Sequence, residues 1–252
     1  MRTTTIAGNW KMNKNADESV ELLTHLITRS NEIPQNVKVV VCPPFTSIAI
    51  AQRMLSGSPY ALGAQNMSHE DDGAFTGEIS ATMLKSVGCS YVIVGHSERR
   101  LYFGETNEII NKKARKALAA DLIPIICVGE TLDEREKGVT EQVISVQIKG
   151  VLKEIPESDV VKAIIAYEPV WAIGTGKNAT PQQAVEVHRF IRKLVGQIYS
   201  WPVAEKVVIQ YGGSVKPDNA AALLSQSDID GALVGGACLK AESFVQIAMA
   251  GK

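Results

Sequence analysis

Cysteine is scarce in this chain of 252 residues, and Cys42, Cys89, Cys127 and Cys238 form no C-x-x-C pair. That spacing speaks against a disulfide framework and against a thiolate metal site. Reduced, mostly buried thiols in a cytoplasmic protein are the expected reading, with no metal and no cofactor. No apolar run approaches the ~18 residues that a membrane-spanning helix needs, and Met1–Thr5 does not open a secretory hydrophobic region. Charge of one sign is lacking too: the net charge is −1. No global field draws the chain to nucleic acid or to an anionic membrane, so any bound anion has to be held by local groups. The nucleotide phosphate loop G-x-x-x-x-G-K-S/T is missing from the glycine-bearing stretch around residues 173–177. Nor does any Pro/Gly/Ser-rich linker divide the chain, which reads as a single domain over residues 1–252.

What is present is an alternation. The chain is 45% hydrophobic with a mean hydropathy of +0.03, as a globular enzyme would be. Short apolar runs at Thr4–Gly8, Val37–Cys42, Tyr60–Ala64, Tyr91–Val94, Leu122–Val128, Ala163–Tyr167, Lys206–Gln210 and Ile229–Val234 read as strands. A helical pattern follows nearly every one. Strand–helix alternation of this kind predicts a parallel sheet, and about eight units in this length suit a closed (β/α)8 barrel.

The stretch Ala166-Tyr167-Glu168-Pro169-Val170-Trp171-Ala172-Ile173-Gly174-Thr175-Gly176 carries the strongest signal. Glu168 puts a carboxylate at a strand's C-terminal end, and Pro169 stops the strand because it has no N–H to donate. Taken alone, such a Glu is more simply read as a strand cap paired with a nearby Lys or Arg. Beyond the loop, Thr180-Pro181-Gln182-Gln183 is a helix start with a capping box, followed by an apolar stripe at Ala184, Val187, Ile191, Leu194 and Ile198. The 169–177 loop is therefore held at both ends, the mechanical description of a lid.

Other strand ends carry further chemistry. Strand one runs into Asn9, Trp10 and Lys11, where Asn9 and Lys11 share a side if the chain stays extended, and Trp10 reads as a packing residue. Strand four runs into His96 and Ser97, where a short helix would start. The helix dipole there disfavours imidazolium, so His96 is expected to have a lowered pKa and to act as a neutral donor. The other reading is a turn in which Glu98 pairs with an Arg. Cys127 reads as a buried thiol, and Thr131-Leu132-Asp133-Glu134 as a capping box. Strands seven and eight end in Gly212-Gly213-Ser214 and Gly235-Gly236, where barrels of this class hold phosphate on backbone N–H groups. The long polar segment 65–78 after strand three carries Phe75 at its tip, costly to leave in water and suited to docking on a partner subunit.

In a parallel barrel all strand C-termini open on one face. That gathers Asn9, Lys11, His96, Glu168, Gly174, Ser214, Gly235 and Gly236 around one mouth. A base, an imidazole, an ammonium and an anion cradle suit proton abstraction beside a carbonyl in a small phosphorylated substrate.

Four segments resemble the triosephosphate isomerase family: Gly8–Asn13, Gly95–Arg100, Ala166–Gly176 and Tyr211–Val215. They stand in the family's order, and the likeness runs over essentially the whole chain. The resemblance implies a TIM barrel that interconverts dihydroxyacetone phosphate and D-glyceraldehyde 3-phosphate in glycolysis and gluconeogenesis. It implies Glu168 as the base, His96 as the electrophile, and Lys11 offsetting substrate charge beside Asn9. Gly174, Ser214, Gly235 and Gly236 would hold the phosphate, and residues 65–78 would dock in a homodimer. Two places depart from the family pattern: the hinge Lys177-Asn178-Ala179, implying altered lid kinetics, and Cys238 in place of a frequent Ser, implying sensitivity to thiol reagents. A phosphate-binding barrel without turnover and another phosphosugar barrel enzyme are the rival readings.

Overall fold

The structure, a computed structural model, describes residues 2–173 and 179–251. Eight strands form a closed barrel: β1 (Thr4–Asn9), β2 (Val37–Cys42), β3 (Tyr60–Ala64), β4 (Tyr91–Val94), β5 (Ile123–Val128), β6 (Ile164–Tyr167), β7 (Val208–Tyr211) and β8 (Gly231–Val234). Each pairs in parallel with its neighbour in sequence, and β8 closes on β1 through the register Thr5↔Gly231 to Gly8↔Val234. The expected TIM barrel is present, with helices around the strands.

The first four strands start where expected, and the last four start a residue or two later. Leu122 belongs to the preceding helix end, its N–H donating to the Ala117 carbonyl. β8 starts at Gly231 because its backbone runs hard against β1, where a Cβ would lie 1.9 Å from the Thr5 carbonyl oxygen. Gly231 holds φ +149, which a side chain would strain.

The period of two along each strand sorts the core into two layers. Ala7, Val40, Cys42, Tyr91, Ile93, Ile125, Cys127, Ile164, Ala166 and Leu233 fill the barrel's interior. Their alternates, among them Ile6, Val39, Val41, Val92, Ile126, Ile165 and Tyr167, pack outward against the helices. Continuing the inner parity past the strand ends leads from Ala7 to Asn9, from Ala61 to Gln65 and from Ala166 to Glu168. Packing thus delivers these polar residues to the mouth.

Helix Pro181–Ile198 starts as expected: Thr180 caps it, and Gln183 returns the hydrogen bond in a capping box. Ala184, Val187, Ile191 and Leu194 are buried, but Ile198 is exposed in the last turn. Arg192 and His188 are buried on the same helix instead. Arg192 donates there through Nη1 to the carbonyls of Ala204 and Val207 and through Nη2 to Asp230 Oδ2, while its buried Nε makes no hydrogen bond and lies 3.6 Å from Asp228 Oδ1.

Candidate active site

Asn9 ends β1 inside the barrel, and its Oδ1 accepts the N–H of Lys11 at 3.0 Å. The Lys11 ammonium ion-pairs with Glu98 Oε1 at 2.6 Å. Glu98 therefore pairs with a Lys from another strand end rather than with an Arg. The neighbouring arginines go elsewhere: Arg99 to Glu105, and Arg100 to the carbonyls of Gly95 and Cys127 and to Asn107.

His96 is the N-cap of helix Ser97–Phe103, as expected from the dipole argument. Its Nδ1 accepts the N–H of Glu98 at 3.2 Å, which assigns the ring proton to Nε2. Nε2 lies 2.9 Å from Glu168 Oε1. The expected lowering of the His96 pKa is overturned here. Burial pushes it down, but the charge and hydrogen bond of Glu168, with Glu98 behind the ring, outweigh burial and raise it. The argument from the helix end alone left out the carboxylate that another strand delivers.

Glu168 is 2% exposed. Its Oε2 accepts the N–H of Ser97 at 2.9 Å. Burial would raise its pKa, yet His96, the Ser97 N–H and Lys11 together lower it, so the carboxylate is ionised near neutrality. Its backbone sits against Gly129, where a Cβ would lie 1.7 Å from the Glu168 carbonyl oxygen. Cys127 is fully buried, and burial followed by the Glu168 charge holds its thiol well above the usual range. It is the inert thiol expected of it. Cys238 is buried with its thiol pushed up by desolvation as well, so the expected reactivity toward thiol reagents does not follow.

Asn9, Lys11, His96, Glu168, Ser214, Gly235 and Gly236 all line one cavity of about 650 Å³. Gly235 precedes a helical turn, Gly236–Leu239, whose free N–H groups suit an anion. Gly174 lies outside the described residues, as do Lys177 and Asn178 of the hinge. No other sequence-expected site residue is missing from the mouth.

Residues 4–251 match the sequence model of the family described as triosephosphate isomerase. The chain is 54% identical over 247 residues to triosephosphate isomerase from Caldanaerobacter subterraneus subsp. tengcongensis, covering 98% of this chain and 99% of that one. It is 55% identical over 247 residues to triosephosphate isomerase from Endomicrobium trichonymphae, with 98% of each chain covered. The Fusobacterium nucleatum subsp. nucleatum triosephosphate isomerase is 51% identical over 251 residues, with both chains fully covered. The chain belongs to the triosephosphate isomerase family.

Two residues of this triosephosphate isomerase family member were not singled out from sequence. Glu130 is completely buried and accepts from Tyr167 Oη at 3.0 Å and from Trp171 Nε1 at 2.9 Å, while its carbonyl takes the N–H of Val170. It ties the start of the 169–177 loop to β5. Gln65 reaches from the tip of β3 to the carbonyls of Lys11 and Cys42. Inward parity after Ala61 and Gly63 was the one signal that could have found it. Nothing local distinguishes Glu130, since its partners lie 37 and 41 residues away.

Proposed function

We propose that this chain is a triose-phosphate isomerase, an aldose–ketose isomerase that interconverts dihydroxyacetone phosphate and D-glyceraldehyde 3-phosphate through an enediol(ate). The observation that carries the reading is the 2.9 Å contact of His96 Nε2 with Glu168 Oε1 inside a cavity that Lys11 also lines. A base, an N–H donor and a cation are within reach of one small substrate.

Glu168 takes a proton from C1 of dihydroxyacetone phosphate. The C–H electron pair becomes the C1–C2 double bond, and the C2 carbonyl pair moves onto oxygen. The Nε2–H of His96 donates to that oxygen, and Lys11 offsets the developing charge. His96 then exchanges protons between the two oxygens, and Glu168 returns its proton to C2, leaving the aldehyde at C1. To reach carbon, Glu168 has to leave its hydrogen bonds to His96 and the Ser97 N–H. A positioned base accelerates by about 10²–10⁴-fold, so fixed donors and charge at the enediolate oxygen must supply much of the rest. The phosphate is read as held by Ser214, Gly235 and Gly236, with Gly174 and the rest of the 169–177 loop closing over it. Excluding water there keeps the enediol from losing phosphate.

The protein is read as one catalytic domain over residues 1–252, working in the cytoplasm in glycolysis and gluconeogenesis, without metal, cofactor, nucleic acid or membrane. No helix among the described residues is long and apolar enough to cross a membrane. A homodimer is supported by large apolar side chains left in water beside the mouth: Met12, Phe75, Leu101, Tyr102 and Phe103 are 48–96% exposed. The 65–78 loop would seat on the neighbour, and sedimentation checks it: a monomer at micromolar concentration removes that part.

A coupled assay with glyceraldehyde 3-phosphate on the purified chain tests the activity. Tight phosphate binding without turnover would leave the non-catalytic barrel. Turnover of a different phosphosugar would leave the other rival.

A further inference from the structure

Lys11 holds φ +54, the left-handed region that a residue with a Cβ enters only against steric resistance. Such a backbone persists where its surroundings fix it. Here side chains do the fixing, on both sides of the residue. The Lys11 N–H is taken by Asn9 Oδ1 at 3.0 Å. The Lys11 carbonyl is taken by Gln65 Nε2 at 2.9 Å, and the same Nε2 donates to the Cys42 carbonyl at 2.9 Å. Both partners are acceptors, so the amide orientation is not ambiguous. The Cys42 carbonyl also takes the N–H of Trp10 at 3.1 Å. Gln65 thus fastens the turn after β1 to the tip of β2 from the residue just past the end of β3.

The other end of Lys11 is fastened as well, its ammonium lying 2.6 Å from Glu98. A side chain held at its backbone and at its tip is aimed before substrate arrives. Charge fixed in advance is worth more to a developing oxyanion than charge that has to be reoriented.

We propose that Gln65 is a positioning residue for the isomerisation, its amide locking the left-handed peptide at Lys11 and so the line along which the ammonium enters the pocket. The inference rests on the reading of Lys11 as the cation facing substrate. Gln65 itself touches no reacting atom. Without its two hydrogen bonds the peptide at Lys11 relaxes toward negative φ, and the ammonium moves off the substrate oxygen. A side chain one methylene shorter would not span the gap between the tip of β3 and Lys11.

The test is a double-mutant cycle on the full chain. Gln65→Leu and Gln65→Asn are assayed for isomerisation alone and in a Lys11→Ala background, with thermal melts and sedimentation alongside. Loss of two hydrogen bonds that hold a charge predicts about a tenfold to hundredfold drop in kcat/KM for Gln65→Leu when Lys11 is present. In Lys11→Ala the same change is expected to alter kcat/KM less than about twofold, because there is no ammonium left to aim. Gln65→Asn is expected to follow Gln65→Leu and carries the cycle if the latter does not fold. Equal losses in both backgrounds would make Gln65 a scaffold residue and overturn the proposal. So would full activity of Gln65→Leu, or a loss that vanishes when higher protein concentration restores the oligomer. An inactive wild-type chain would instead overturn the isomerase reading, and with it the reaction that Gln65 is proposed to serve.

Discussion

His96 Nε2 and Glu168 Oε1 lie 2.9 Å apart, joined across 72 residues of chain in a pocket where both are buried. Each shifts the other. Glu168 raises the His96 pKa against desolvation, and His96 lowers the Glu168 pKa against desolvation. The two shifts belong to one coupled pair rather than to two independent groups.

That coupling sets a pH window for stability. A depressed carboxylate contributes above its unfolded value of 4.5, and the contribution is lost as pH falls through the folded pKa. A raised imidazole contributes fully below its unfolded value of 6.5, and the contribution is lost as pH rises through the folded pKa. The pair's contribution is therefore complete between about pH 5 and 6.5 and declines on either side. Urea unfolding of the wild type and of Glu168→Gln across pH 3–9 should give a bell-shaped difference. A difference flat with pH would show that the pair is not coupled.

Replacing Glu168 by Gln keeps the shape and removes the base. Turnover should fall by about 10²–10⁴-fold, the usual worth of a positioned general base. KM should stay within a few fold, because the residues proposed to hold the phosphate, Ser214, Gly235 and Gly236, are separate from Glu168. Steady-state kinetics decide it, and unchanged kcat would take Glu168 out of the base role.

Lys11→Ala should raise KM and lower kcat together, since the proposed role sets the cation against both the substrate's anionic charge and the enediolate. The scale is bounded by a unit charge about 4 Å away at an effective dielectric near 20, which is worth about 4 kcal/mol before desolvation. The same kinetics, repeated at raised salt, read both constants. Activity equal to wild type would reduce the ammonium to a partner for Glu98.

Glu130 offers a different contrast. Burial, its largest influence, raises its pKa, while Trp171 and Tyr167 hold it down. Glu130→Ala strands the buried Tyr167 hydroxyl, at a cost of about 1–3 kcal/mol. Glu130→Gln keeps an acceptor for it and removes the buried charge, so its melting temperature should stay near wild type. Thermal melts separate the two, and equal destabilisation would mean that the charge, not the acceptor, matters.

The arrangement of strands was readable because its signal is local. Eight apolar runs of the right length between amphipathic helices leave few alternatives to a closed parallel barrel. Thr180, Pro181 and Gln183 fixed a helix start within four residues, as did Thr131 and Glu134. The site was readable through one consequence of that topology, that parallel strands end on one face, together with the inner parity that carries Asn9 and Glu168 to it. His96 shows the limit. Its place at a helix start could be foreseen, but its pKa direction could not, because the deciding charge arrives from β6. Cys238 shows it again: burial, not residue type, sets whether a thiol reacts.

Taken by itself, the sequence determined which residues would lie at strand tips, because alternation and capping act within a few positions of chain. Only the tertiary structure decided what those residues meet there: Glu98 on Lys11, Glu168 on His96, Gln65 on the Lys11 carbonyl, Glu130 on Trp171. Hydrogen bonds and charge act over a few ångströms of space, and barrel closure brings into that range groups that the chain itself holds dozens of residues apart.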